Sequence, residues 1–255
     1  MTKRDWRILV TNDDGIRAPG LLALADAAQA HLGEVTVVAP DREQSGASHA
    51  LTIRHPVRLE EIRPGWHLVE GTPTDCVNLG FFHVLGRPPD LVLAGVNRGY
   101  NIGEDVTYSG TVAGALEGRI LGAPSLAIST APHATEEDFA LAARVAVRLA
   151  ELVLTRGLPL DAFLNVNVPP SARGYRITRQ GRRVTREGLA AGRDPKGRDY
   201  FWVGLAPAEW PHAPGADHSA VADGFISVTP LHADLTFHRA LPLVQEWNLE
   251  DGPAP

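Results

Sequence analysis

Residues 7–40 read RILVTNDDGIRAPGLLALADAAQAHLGEVTVVAP. The first five form a short apolar run that stops at the turn-forming NDDG, which predicts a buried strand. Leucine and alanine then recur at helical spacing over 20–32, and 34–40 is a second apolar run that predicts another strand. Two strands joined by a helix form a βαβ unit, so we expect a parallel sheet.

The same alternation continues to about residue 170. It predicts strands over 90–97, 124–130 and 163–169, and helices over 111–121 and 136–154. The longer helix opens on acidic residues, which suits the positive end of the helix dipole. Pro169 and Pro170 close the last strand. Residues 1–170 are therefore predicted to form one α/β core.

Beyond residue 170 the composition changes. Residues 171–200 are rich in Arg and Gly and show little helical periodicity. We expect strands or hairpins at 176–180, 199–205 and 224–231, a Pro/Gly-rich loop over 206–220, and a short final helix from His238 to Trp247. Residues 171–255 are thus predicted to form a β-rich extension that ends in a helix.

Composition narrows the class of protein. The chain has 255 residues, of which 44% are apolar and 21% charged, as in folded globular proteins. Its net charge of -6 argues against a basic face for duplex nucleic acid. A single cysteine, Cys76, permits no intrachain disulfide. Since no apolar run suggests a signal peptide or a membrane helix, we expect a cytoplasmic protein with no membrane partner.

Polar residues follow three of the predicted strands. Asp13 and Asp14 come after the first, Ser45 lies in the loop after the second, and Asn97 ends the strand at 90–97. Ligands of parallel sheets bind beyond the carboxyl ends of the strands, where these residues would meet. Adjacent carboxylates repel unless a cation lies between them, and oxygen ligands favour Mg²⁺, Mn²⁺ or Ca²⁺. Plain surface turns remain the alternative at each position.

Ser109, Gly110 and Thr111 stand directly before the predicted helix. Backbone N–H groups, hydroxyls and the positive end of the helix dipole at such a position form an anion site. Ordinary N-capping by Ser or Thr is the alternative.

Other chemistries lack their motifs. No GxGxxG or GxxxxGK[ST] follows the first strand, and neither a GxSxG elbow nor an HExxH pair is present. Near the C-terminus His232, Asp234 and His238 cluster in PLHADLTFH. They would reach the sheet edge if the extension folds back, and solvated side chains at a helix start are the alternative.

Six segments together resemble the family of the stationary-phase survival protein SurE. They are VTNDDG (10–15), VVAPDREQSG (37–46), GTPTDCV (71–77), LAGVNRGYNIGEDVTYSGTVAGALEG (93–118), LNVNVP (164–169) and SVTPLHADLT (227–236). They cover nearly the whole chain, in order and with suitable spacing, and the longest of them is very specific.

The resemblance implies a Rossmann-like core and a C-terminal extension exchanged between the subunits of a homodimer or homotetramer. It implies hydrolysis of nucleoside 5′-monophosphates, often with 3′-nucleotides and short polyphosphate as further substrates. It also implies one divalent cation per subunit, Mg²⁺ or Mn²⁺, held by Asp13, Asp14, Ser45 and Asn97.

On this basis Asp13 and Asp14 are the expected catalytic residues, and Asn12, Ser109, Gly110 and Thr111 are expected to contact the phosphate. The attacking group is either a metal-activated water or the Asp13 carboxylate. Family members often carry His where this chain has Tyr108, so the general acid stays open, with Asp234 and His238 as candidates.

Three rival functions remain. A non-enzymatic nucleotide- or metal-binding regulator would also use an acidic sheet edge, but without turnover. A phosphoaccepting receiver domain needs an Asp where Asn97 stands, and it is about half this length. A glycosyltransferase needs a DxD motif at a strand end, and none stands there.

Overall fold

A computed structural model describes residues 5–183, 189–203 and 209–247. Within these ranges the strands are β1 (Trp6–Thr11), β2 (Gly33–Pro40), β3 (Leu59–Arg63), β4 (Trp66–Val69), β5 (Leu91–Arg98), β6 (Ser125–Thr130), β7 (Ala162–Val168), β8 (Tyr175–Ile177), β9 (Leu189–Arg193), β10 (Asp199–Val203) and β11 (Ile226–His232). The α-helices are α1 (Pro19–His31), α2 (Pro73–Leu79), α3 (Gly110–Ile120), α4 (Glu136–Arg156), α5 (Asp217–Ala222) and α6 (Leu241–Gln245). A π-helical segment, Gly80–Val84, continues α2, and 3-10 turns cover Gly103–Thr107 and His238–Ala240.

Nine strands form one sheet in the order β3-β4-β2-β1-β5-β6-β7-β11-β8. The run from β4 to β7 is parallel throughout, while β3 is antiparallel to β4 and β11 is antiparallel to β7. The predicted α/β class with a mostly parallel sheet is therefore confirmed.

Helices cover both faces of the sheet because successive side chains of each strand point to opposite sides. Ile8 and Val10 belong to the cluster that packs against α1 and α4, whereas Leu9 of the same strand packs against α2. Such burial on both faces explains why these strands read as continuous apolar runs. None of the described helices combines the length and the apolar character needed to cross a lipid bilayer.

Helix α3 carries glycine at three positions four residues apart, Gly110, Gly114 and Gly118. A Cβ atom added at Gly118 would lie 2.7 Å from both Ser125 Oγ and Val92 Cγ2. One added at Gly114 would lie 3.0 Å from Thr11 Cγ2, and one at Gly110 would lie 2.8 Å from Asp13 Cβ. Residues four apart share a helix face, so this glycine stripe lets α3 lie directly on the sheet.

The structure differs from the sequence prediction in short elements. The β3–β4 hairpin and α2 were not predicted, and α5 begins inside the predicted 206–220 loop, which is therefore wrong for residues 217–220. These elements have four to seven residues, too few to show a period. Helix α2 still carries a readable start, a capping box between Thr72 and Asp75.

The region after residue 170 contributes to the main sheet. Strands β8 and β11 overlap the predicted strands at 176–180 and 224–231, and β11 pairs with β7 of the core. Strands β9 and β10 form a separate antiparallel hairpin. The predicted final helix corresponds to the 3-10 turn and α6, while residues 204–208, part of a predicted strand and loop, lie outside the described ranges. The division at residue 170 thus does not separate two sheets.

Replacing Gly118 by Ala tests the close approach of α3. At an open helical position this change stabilises by about 1 kcal/mol, because alanine has the higher helix propensity. Here the new methyl group meets Val92 and Ser125, and we expect a loss of about 1–3 kcal/mol in the free energy of unfolding. Urea denaturation measures this free energy. The control is Ala30→Gly at an exposed position of α1, where the change in stability reports the difference in helix propensity between Ala and Gly without a packing clash. A Gly118→Ala protein more stable than the original would refute the close packing.

Candidate metal and phosphate site

The strand order reverses direction between β1 and β5. From β1 the chain passes to β2, β4 and β3 on one side, and from β5 it continues to β6 and β7 on the other. Crossing connections leave a crevice beyond the carboxyl ends of the strands at such a switch point, where ligands of open α/β sheets bind. Residues 12–14 follow β1 directly, and Asn97 lies at the end of β5, so the structure places these predicted residues on either side of the crevice.

Asp13 joins β1 to the start of α3. Its side chain is buried, and its Oδ1 accepts a hydrogen bond from the Thr111 hydroxyl. A Cβ atom added at Gly110 would lie 3.0 Å from Asp13 Oδ2, so a glycine is needed where the helix start meets the carboxylate. The Asp13 carbonyl also accepts the Gln44 N–H at 2.7 Å, which fixes the loop after β2. Asp13, Gly110 and Thr111 are thus brought together.

Asp14 lies at the same crevice. Its Oδ2 accepts the backbone N–H of Arg98 at 3.2 Å, which links β1 to the end of β5. Burial raises the pKa of Asp14 to about 6, and the neighbouring charge of Asp13 adds to this effect. Burial also raises the pKa of Asp13, although the hydrogen bonds from Thr111 oppose it. Both carboxylates are therefore held where their charge is unfavourable without a cation.

Asn97 is oriented by a local hydrogen bond. Its Nδ2 donates to the Gly99 carbonyl at 2.8 Å. No hydrogen bond within the described ranges uses its Oδ1, the atom that a hard cation would bind. Asn97 thus has a neutral oxygen available as a ligand.

Ser45 is exposed, and its hydroxyl donates to Glu43 Oε1 at 2.8 Å. The structure therefore pairs this predicted ligand with a carboxylate in its own loop. The charge of Glu43 also raises the pKa of both Asp13 and Asp14, which places it near the acidic pair.

Asn12 is fully buried and shapes the turn after β1. Its Nδ2 donates to the Gly15 carbonyl at 2.9 Å, while its Oδ1 has no hydrogen-bond partner among the described residues. Gly15 has a φ of 96°, a conformation that glycine tolerates best. The turn that presents both aspartates thus depends on residues 12 and 15.

The start of α3 is built from the predicted anion-binding residues. Ser109 is the N-cap, and its Oγ accepts the Val112 N–H at 3.0 Å, which leaves the hydroxyl proton free to donate. The loop after β2 is attached here as well, because the Ser48 N–H donates to the Tyr108 carbonyl at 3.1 Å. Tyr108 itself has an exposed side chain.

The donor atoms at this site suit a hard divalent cation. They are two carboxylates with raised pKa values, the Asn97 amide oxygen and the Ser45 hydroxyl. Across residues 5–183, 189–203 and 209–247, no three His, Cys, Asp or Glu side chains cluster as a metal site. The residues present therefore fit a cation bound by two carboxylates and neutral oxygens.

Asp234 and His238 pair with each other. His238 Nε2 lies 2.6 Å from Asp234 Oδ2, and the Thr236 N–H donates to Asp234 Oδ1 at 2.7 Å. The bonds from Thr236, with that from His238, lower the pKa of Asp234. Both side chains are exposed, and none of their hydrogen bonds among the described residues reaches Asp13 or Asp14.

Two neighbours of the site were not singled out from the sequence. Glu43 acts on both aspartates through its charge, and Arg98 binds Asp14 through its backbone N–H. Glu43 is two residues from Ser45, and Arg98 is one residue from Asn97. Their proximity in sequence to predicted metal ligands is the only feature of the sequence that could have identified them.

The comparisons with known proteins agree with this geometry. The family described as "Survival protein SurE" matches residues 8–187. The chain is 50% identical over 244 residues to the protein named 5′-nucleotidase SurE from Syntrophotalea carbinolica, covering 95% of this chain and 97% of that one. The protein of the same name from Geobacter sulfurreducens is 51% identical over 246 residues, covering 95% and 94%.

A solved structure extends the likeness to three dimensions. The crystal structure of the SurE protein from Aquifex aeolicus superimposes with a TM-score of 0.83 at 43% identity, covering 95% of this chain and 99% of that one. Sequence motifs, fold and full-length similarity thus lead to one conclusion, that this chain belongs to the SurE family.

Proposed function

We propose that this protein is a divalent-metal-dependent phosphomonoesterase that hydrolyses nucleoside 5′-monophosphates to nucleoside and phosphate. The observation that carries the proposal is the contact between Asp13 and Thr111, which joins an acidic pair to the start of a helix at the switch point of the sheet. Relatives at about 50% identity over nearly the whole chain carry the name 5′-nucleotidase SurE. Hydrolysis of 3′-nucleotides and short polyphosphate belongs to the same proposal.

Asp13, Asp14 and Asn97 would hold one Mg²⁺ or Mn²⁺ per subunit, with Ser45 as a weaker ligand once it leaves Glu43. A cation bound there supplies positive charge to the phosphate oxygens and favours ionisation of a coordinated water. The raised pKa values of the two aspartates support this assignment, because a cation offsets the repulsion between them.

The start of α3 would bind the phosphate. The Ser109 hydroxyl and the backbone N–H of Gly110 offer donors, and Thr111 already donates to the Asp13 carboxylate at the same helix start. Phosphoryl transfer depends mainly on positioning and charge neutralisation, which this arrangement provides. Asn12 would contribute indirectly, because its hydrogen bond to the Gly15 carbonyl fixes the turn that presents Asp13 and Asp14.

Of the two acid candidates, His238 suits the role better. The lowered pKa of Asp234 keeps it ionised near neutral pH, so it has no proton to give. Imidazole is the side chain that most often transfers protons in general acid–base catalysis. In this proposal Asp234 orients His238, and the pair serves the site of a partner subunit after arm exchange.

An exchanged arm is supported by exposed apolar side chains beyond β11. Leu235 is 95% exposed, Phe237 71% and Trp247 62%, and the β9–β10 hairpin also exposes Trp202 and Val203. Apolar surface of this extent usually marks an interface. We therefore include a homodimer or homotetramer formed through the C-terminal arm.

The activity is tested by phosphate release from a panel of nucleoside monophosphates with Mn²⁺, with Mg²⁺ and with EDTA. We expect turnover that requires metal, and a fall of about 100-fold or more in kcat for Asp13→Asn, because a ligand and a helix-start contact are lost together. Asp26→Asn makes the same change at an exposed position of α1 and should retain full activity. No turnover under any condition, with AMP still bound, would identify a nucleotide-binding regulator instead.

Metal binding is expected to depend on pH. The raised pKa of about 6 means that Asp14 is mostly protonated at pH 5 and ionised at pH 7.5. Because Mn²⁺ must displace that proton, its affinity should fall about tenfold between pH 7.5 and pH 5. In the absence of metal, the free energy of unfolding should fall as the pH rises through 6, because the Asp14 carboxylate then becomes ionised in a buried position. Calorimetric titration with Mn²⁺ at both pH values measures the first effect, and equal affinities would contradict the raised pKa.

The arm is tested by sedimentation velocity. Replacing Leu235 and Phe237 together by Ser should convert an oligomer into a 27.4 kDa monomer, since the interface loses two of its most exposed apolar side chains. Leu160→Ser removes another side chain that is 86% exposed, far from the arm in sequence, and should leave the oligomer intact. A monomeric unmodified protein at all concentrations would count against arm exchange.

A further inference from the structure

A row of polar side chains crosses four strands beside the site. Asn97 of β5 pairs in register with Ser129 of β6, Ser129 pairs with Asn167 of β7, and Asn167 pairs with Ser227 of β11. Ser129, Asn167 and Ser227 are all completely buried. Buried polar groups of this kind need hydrogen-bond partners, so the row must serve some neighbouring structure.

The row serves the segment that follows Asn97. Asn167 binds both backbone groups of Asn101, because its Oδ1 accepts the Asn101 N–H at 2.8 Å and its Nδ2 donates to the Asn101 carbonyl at 3.0 Å. Asn165 donates to the same carbonyl at 2.8 Å, and the Asn101 side chain donates to Ser129 Oγ at 2.8 Å. Four hydrogen bonds from two strands thus hold one residue, an arrangement we call the amide clamp.

The amide clamp lies between the residues proposed to bind the metal and the phosphate. Asn101 is four residues beyond the proposed metal ligand Asn97 and eight before the helix cap Ser109. Two residues further on, the Gly103 N–H donates to the buried Asp217 carboxylate at 2.9 Å, which fixes the segment again. Besides the 3-10 turn at Gly103–Thr107, residues 99–109 therefore take their position from hydrogen bonds to distant strands and to α5.

We propose that Asn167 is a positioning residue for catalysis, which sets the distance between the metal ligand Asn97 and the phosphate-binding start of α3 through its bidentate hold on Asn101. This inference rests on the proposed phosphomonoesterase activity. The side chain of Asn167 is not needed to close the sheet, because β7 pairs with its neighbours through backbone groups. Its hydrogen bonds go instead to the segment at the site.

The magnitude follows from geometry. Displacing a catalytic group by about 1 Å costs on the order of 100-fold in rate. Without the Asn167 amide, the buried Asn101 N–H loses its acceptor and the Asn101 carbonyl keeps only the donor from Asn165, so the segment must shift to satisfy the N–H. We expect Asn167→Leu, which keeps the approximate volume of the side chain, to lower kcat by at least about tenfold with KM within about threefold.

Ser227→Ala is the matched control. Ser227 stands directly opposite Asn167 in the row and is equally buried, but its hydroxyl bonds to Thr178 at 2.8 Å, away from Asn101. Both variants lose buried hydrogen bonds, so both should lower Tm. Only Asn167→Leu should lower kcat when the assays run well below Tm.

A smaller change, Ser129→Ala, tests the proposal if Asn167→Leu fails to fold. It removes one hydrogen bond of the amide clamp and should lower kcat by about threefold.

Hydrogen exchange tests the amide clamp by a measurement that does not depend on enzymatic activity. Peptides covering residues 99–109 should exchange at least about tenfold faster in Asn167→Leu than in the unmodified protein or Ser227→Ala. Unchanged exchange in Asn167→Leu, or a kcat reduced equally by both variants, would overturn the proposal. The unmodified protein could also show the exchange difference but hydrolyse no nucleotide. That result would refute the proposed function and, with it, a catalytic role for Asn167. It would leave the amide clamp as a purely structural feature.

Discussion

The approach of helix α3 to the sheet determines the site. Without side chains at Gly110, Gly114 and Gly118, the helix axis comes near enough for Thr111 to reach the carboxylate of Asp13. A helix held further out would leave its free N–H groups and its dipole in solvent, where they attract anions weakly. The acidic turn after β1 and the helix start thus depend on the same packing, and the metal and phosphate contacts proposed for them follow from it.

This packing has an electrostatic consequence. Burial beside the helix raises the pKa values of Asp13 and Asp14, and the nearby Glu43 raises both further. The helix start and the Arg98 N–H offset only part of that cost. The cation proposed for this site would offset the remaining repulsion, and it would favour the approach of an anionic substrate to a chain whose net charge is -6.

Much of the core could be predicted because its strands and longer helices carry strong periodic patterns. The sharing of one sheet edge by Asp13, Asp14 and Asn97 followed from the same reasoning. The β3–β4 hairpin, α2 and α5 were missed because elements of four to seven residues show no period. The pairing of Asn101 with Asn167 joins residues 66 apart, and no local pattern records such a partner. The glycine stripe of α3 was readable as a four-residue repeat, although its meaning depends on what faces it.

Gly103 donates its N–H to Asp217, which lies 114 residues further along the chain. During synthesis the segment that links β5 to α3 therefore leaves the ribosome long before Asp217, the residue that holds it, has been added to the chain. A nascent chain that ends before residue 217 has β1, β5 and α3 but not the anchor, so the core strands can pair while the catalytic crevice stays unfinished. The bond that fixes this segment can therefore form only late in synthesis, after the strands on either side of the crevice have been made.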